Sequence, residues 1–97
     1  DVTMIDIEGY EVHALRGMRR VFESRPDVLI EVHVGCGLEE AGDSVASLLA
    51  AFPPDAYAFS IAAGFKDGEA CDCLDFEPYS PDSPILAHRF FLAAVPR

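Results

Sequence analysis

The stretch Met4-Ile5-Asp6-Ile7-Glu8-Gly9, running on through Tyr10 and Glu11, decides how the rest of the chain is read. Val2, Met4, Ile5 and Ile7 read as a strand buried on both faces, which is the habit of parallel sheets. Asp6 falls near its C-terminal end, where open α/β sheets place their ligands. Gly9 turns the backbone, and Glu11 falls in a first helical turn, where the dipole favours an acid. A buried strand that delivers acids to the carboxyl edge of a sheet is arranged like a site. The plainer reading is that Asp6 and Glu8 solvate a strand end.

Working outward, Glu11 to Ser24 carries Val12, Leu15, Met18 or Arg19, and Phe22 at three- and four-residue steps, with Ala14 and Val21 widening the stripe. This spacing predicts one amphipathic helix, with Gly17 tolerated mid-helix through close packing against a strand and Pro26 as its stop. Asp27 to Val34 predicts a second strand, continuously apolar through Val28-Leu29-Ile30 and then alternating, with Glu31 and His33 on one face. Strand, helix, strand with short connections is a βαβ unit, so the two strands are parallel and Asp6 and His33 emerge at one edge.

Beyond the loop Gly35-Cys36-Gly37, Asp43 or Ser44 caps a helix carrying Val45, Leu48, Leu49 and Phe52, which Pro53-Pro54 ends. Tyr57, Phe59 and Ile61 alternate with Ala58 and Ser60 as a strand. Gly64 to Pro84 is polar, acidic and proline-containing, and reads as a long loop. Phe90 to Val95 reads as a last buried strand. No internal repeat is present.

The chain has 97 residues, the size of one domain or a piece of one. Its net charge of −10 argues against nucleic acid and against an anionic membrane as partners. No apolar run is long enough to span a bilayer as a helix. Three cysteines do not make a disulfide framework, so a reducing, cytoplasmic setting is expected. Residues 2–7 already form a strand that wants neighbours, so the chain reads as cut from something longer. An exposed first strand would also invite self-association.

Several groups carry chemistry. Asp6, Glu8 and Glu11 have the oxygen ligands that suit magnesium or calcium. Glu31 and His33 form a carboxylate-held histidine, a usable general base near neutral pH. His13 reads as a surface residue of the helix, and nothing recommends His88. His33, Cys36, Cys71 and Cys73 are zinc-type ligands at poor spacing, and ordinary small cysteines are the better reading. No glycine-rich loop cradles a phosphate, and no nucleophile elbow is present.

The run Ile5-Asp6-Ile7-Glu8-Gly9-Tyr10-Glu11, then Ala14-Leu15-Arg16-Gly17, Pro26 and Leu29-Ile30-Glu31-Val32-His33, resembles the FkbM family of S-adenosylmethionine-dependent methyltransferases. The resemblance covers roughly the first third of the chain. It implies an α/β, Rossmann-like methyltransferase sheet of seven strands, of which residues 1–97 supply the C-terminal half. That half holds strands four to seven, the last antiparallel, with helices packed on the sheet. It further implies an O-methyltransferase of a small-molecule or sugar hydroxyl. Asp6 would then lie beside the methyl group, with Glu31 and His33 as its catalytic partners and Glu8 and Glu11 binding the acceptor. Asp6 would be the one candidate ligand for magnesium. The strand and glycine-rich turn that bind S-adenosylmethionine would lie before Asp1, leaving an acceptor-side half inactive alone.

Two other classes fit some of the residues. Asp6-x-Glu8-Gly9 is similar to aspartyl-nucleophile phosphohydrolases of the haloacid dehalogenase type, but Glu8 and Tyr10 depart from that pattern. A non-catalytic α/β interaction module would use the same acids as a solvated rim.

Overall fold

The computed structural model describes residues 2–5, 9–35, 37–66, 69–70 and 74–97. Asp6, Glu8, Cys36, Cys71 and Cys73 lie outside these residues, and with them most of the magnesium and zinc sets considered above. In order, the described elements are β1 (Val2–Ile5), α1 (Glu11–Arg16), α2 (Arg19–Glu23), β2 (Asp27–Val32), α3 (Val45–Ala50), β3 (Tyr57–Ala63), β4 (Phe65–Lys66), β5 (Glu69–Ala70), β6 (Glu77–Pro78), a 3-10 turn (Pro84–Ala87) and β7 (Phe90–Pro96).

This is a small α/β fold with a five-stranded mixed sheet, ordered β1-β2-β7-β3-β6. β1 and β2 pair in parallel, Ile5 opposite Ile30, as a strand–helix–strand unit requires. β7 then enters between β2 and β3, antiparallel to both. Its pairing brings Ile30, Leu92 and Ile61 into one row across the sheet, and Val28, Ala94 and Phe59 into another. Val28, Ile30, Val32, Phe90, Leu92, Ala94, Tyr57 and Ile61 are buried with Val12, Leu15, Phe22, Leu48 and Phe52 of the helical layer. The core therefore lies on one face of the sheet.

The other face explains why β1 departs from its expected double burial. Val2 is 72% and Met4 68% exposed, and of this strand only Ile5 is buried. β1 is the edge of the sheet, and side chains that alternate across a strand face the helical layer only at every second position. β2 likewise alternates throughout, with Leu29 and Glu31 half-buried, rather than starting as a doubly buried run.

The expected single helix is two. After Arg16, Gly17 N–H donates to Ala14 O at 3.1 Å and Met18 N–H to Leu15 O at 3.0 Å, a tightened turn at the residue with the poorest helix propensity present. Gly17 does not serve close packing against a strand. A methyl group there would meet only Ala14 O at 3.5 Å and His13 O at 3.9 Å. Val21, placed on the apolar stripe by spacing, is exposed, while Leu15, Met18 and Phe22 keep the three- and four-residue steps of the packed side.

α3 starts as expected. Ser44 caps it in a reciprocal box with Ser47, whose N–H donates to Ser44 Oγ at 3.2 Å. The expected loop 64–84 instead contains the β4–β5 hairpin and the short strand β6, which adds to β3 with Pro78 opposite Ser60. Strands of two residues are too short to show a period, and a proline fits only at such an edge.

Tyr57 ties the sheet to the helix exit. Its hydroxyl donates to Pro26 O at 2.8 Å, and its ring packs on Phe22 and Phe52. Burial raises the phenol above its ordinary 10.0; Arg25 lowers it and Asp27 adds to the rise. The folded chain thus keeps a proton that the unfolded chain releases. Stability is full below about pH 10 and falls as pH rises toward the folded value. Urea midpoints of wild type and Tyr57→Phe should diverge below about pH 10 and converge above it. Parallel midpoints from about pH 8 to pH 11 would refute this.

Candidate functional site

Three separate chain segments meet at the carboxyl edge of the parallel pair. After β1, the chain passes Gly9 in a left-handed conformation, φ +99°, and enters α1 at Glu11. After β2 it reaches His33 directly. Arg89 arrives from the opposite direction, because antiparallel pairing sets Phe90 against Val32 and leaves the preceding residue at the same edge. Topology alone therefore brings Glu11, Glu31, His33 and Arg89 together.

Glu11 and His33 are both buried, at 0% and 3% exposure, and the Glu11 Oε1 atom bonds His33 Nδ1. Gly9 N–H donates to the same oxygen at 3.3 Å. Glu11 Oε2 is buried without a hydrogen-bond partner among the described residues. On the other side of the ring, Glu31 Oε1 lies 3.6 Å from His33 Nε2 and 3.5 Å from Arg89 Nε. Glu31 is the outward member, its side chain 23% exposed. The arrangement is an imidazole between two carboxylates, one fully buried and one reaching toward solvent, with a guanidinium on the outer one.

The following loop fixes the histidine from behind. Leu38 N–H donates to His33 O at 3.2 Å, and its side chain is fully buried. Gly35 N–H donates to Glu39 Oε1 at 2.8 Å. Gly9 packs directly on this loop. A Cβ on it would sit 2.5 Å from Gly37 O and 2.8 Å from Gly37 Cα. The turn after β1 is therefore closed by protein backbone.

Of the residues singled out from sequence, Glu11, Glu31 and His33 converge, while Asp6 and Glu8 lie outside the described residues. Among the described residues, the carboxylate bonded to His33 is Glu11, with Glu31 as the looser neighbour. His13 is half-exposed and faces Asp43 Oδ2 at 3.3 Å. His88 is exposed. Arg89 was not foreseen. Only knowledge that β7 lies beside β2 would have paired it with Glu31.

Among the described residues no group of three His, Cys, Asp or Glu side chains is placed to hold a metal ion. No described helix is long and apolar enough to cross a membrane. A cleft of about 480 Å³ lies between the helices, lined by Leu15, Arg16, Arg19, Phe22, Phe52 and Pro53 among others, and includes no member of the acid–histidine cluster. No protein-family model, curated protein or solved structure matches the chain.

Proposed function

We propose that this chain is the acceptor-side half of an S-adenosylmethionine-dependent O-methyltransferase acting on a small-molecule or sugar hydroxyl. The observation that carries the reading is the buried Glu11–His33 pair at the carboxyl edge of a parallel β1–β2 unit. The antiparallel last strand agrees with the sheet that the sequence resemblance implies. The methyl donor is then held by residues other than those described, and it supplies the methyl group. What this chain contributes is proton handling. His33 accepts the hydroxyl proton at Nε2 as the oxygen is methylated, and Glu11 and Glu31 flank the imidazolium that results. Glu31, the outward carboxylate, is the route by which that proton returns to water. Asp6 orients the acceptor or holds magnesium, and Glu8 lines the acceptor side.

The test is transfer of a labelled methyl group from S-adenosylmethionine to a panel of sugar and small-molecule alcohols by the full-length gene product. Transfer is expected, with Asp6→Asn costing more than His33→Gln and the latter at or below about 10²-fold. Calorimetry on residues 1–97 alone should find no micromolar binding of S-adenosylmethionine. Absence of any transfer across the panel would sink the enzyme reading.

One observation favours the non-catalytic reading instead. Val2 and Met4 are exposed on a strand that is at the sheet's edge among the described residues, the kind of surface that recruits another chain or self-associates. An inactive full-length protein whose oligomeric state changes with Val2→Lys and Met4→Lys would support that module.

A further inference from the structure

The cleft between the helices joins an apolar base to cations that have no carboxylate partner. Its base is the aromatic pair Phe22 and Phe52, ring centroids 5.4 Å apart, with Leu15 beside them, all three buried. On α3 and its C-terminal cap, Ser47, Ala50 and Ala51 recur at three- and four-residue steps, so one stripe of that helix lines the cleft. Those side chains are too short to fill the gap toward α1 and α2. About 480 Å³ is left, within the range of small-molecule sites.

The charges at this cleft run against the trend of the chain. Acids outnumber bases by 17 to 7, yet Arg16 and Arg19 line the cleft and no carboxylate of the described residues does. Arg16 ends α1 and Arg19 opens α2. Both are exposed, and neither side chain makes an ion pair or hydrogen bond among the described residues. Arg20 and Arg25 follow in the same segment, so four of the 7 bases stand between positions 16 and 25. A guanidinium stays charged at any working pH and holds a carboxylate or phosphate through paired hydrogen bonds. An apolar recess beside two of them suits a ligand with an oxyanion head and a compact apolar body. A second copy of the chain is the poorer occupant, because each copy carries a net charge of −10 and the two repel.

We propose that the cleft between α1–α2 and α3 is a binding site for a small organic oxyanion, its apolar body seated over Phe22 and Phe52 and its carboxylate or phosphate held by Arg16 and Arg19. The cleft includes no member of the Glu11–His33 cluster, so the site stands whether or not the chain takes part in methyl transfer.

The probes are naphthoate and naphthyl phosphate, with naphthylmethanol as the uncharged match, titrated into nitrogen-labelled chain and read by amide chemical shifts. At least one anion should bind saturably with a dissociation constant below about 1 mM, its shifts centred on residues 15–22 and 47–54. The tighter of the two anions identifies the head group. The alcohol should bind about tenfold more weakly, for want of the charge-assisted contacts. Arg16→Gln combined with Arg19→Gln, at exposed positions that leave the core untouched, should cost the anions about tenfold and the alcohol nothing. Raising salt from about 20 mM to about 500 mM should weaken the anions and spare the alcohol. The proposal fails if neither anion moves these amides, if the alcohol binds as tightly as the anions, or if the double variant keeps wild-type affinity. Cleft shifts that depend on protein concentration without any probe would make a second copy the occupant and overturn it as well.

Discussion

Gly9→Ala is expected to destabilise the fold by about 3 kcal/mol or more, through two causes that a second glycine separates. The first is conformational. At φ +99° an alanine is strained wherever it sits, at a cost of about 1–2 kcal/mol. The second is contact: the new methyl carbon would overlap the Gly37 backbone, and that loop is fastened to His33 through Leu38 and cannot simply retreat. Gly35 is the control. It also has positive φ, +74°, but nothing lies within 4 Å of where its Cβ would be. Gly35→Ala should therefore show the conformational cost alone. Urea titrations of the two variants at equal slope m measure the difference. Equal losses would mean that the Gly9–Gly37 approach yields freely, and the closed turn would lose its structural role.

The outline of this fold was legible because it is written in long signals. The apolar run of β2, the stop at Pro26 and the six apolar residues that open β7 each span enough positions to exceed local ambiguity. Ser44 was legible as a cap because capping chemistry is local. What escaped has a common physical character: it is decided by residues distant in sequence. Val2 and Met4 are as apolar as core residues, and only their place at the sheet edge exposes them. β6 exists because β3 offers it an edge, not because Glu77-Pro78 favours a strand. The break at Gly17 is the exception, a local effect weaker than the helical period that spans it.

The site divides in the same way. Parallel β1 and β2 follow from the short connection between them, and so the convergence of Glu11, Glu31 and His33 at one edge was foreseeable from topology. Two-residue spacing ranked Glu31 as the partner of His33, since residues two apart on a strand share a face. The strand ends at Val32, however, and the ring turns inward to Glu11. A period of two says which face a side chain leaves from, not which neighbour it bonds after the strand has ended. Arg89 joins only because β7 runs antiparallel beside β2, a pairing that the sequence of β7 leaves open.

His33→Leu is expected to cost about 3–5 kcal/mol, more than the loss of a histidine's own packing would suggest. The reason is what stays behind. Glu11 remains fully buried, keeps only the 3.3 Å bond from Gly9 N–H among the described residues, and loses the ring that partnered its carboxylate. Glu11→Leu should be milder, because the histidine left behind still has Glu31 beside Nε2. In the double variant, Glu11→Leu with His33→Leu, both polar groups give way to apolar ones in a fully enclosed space. Replacing a buried pair outright is often close to neutral, so the double variant should be more stable than His33→Leu alone. Its loss should fall short of the summed single losses by about 1–3 kcal/mol, which is the coupling between residues in direct contact. Denaturant midpoints of the four proteins complete the cycle. Additive losses would show that Glu11 and His33 do not act as a unit, and the anchored histidine would then be without its anchor.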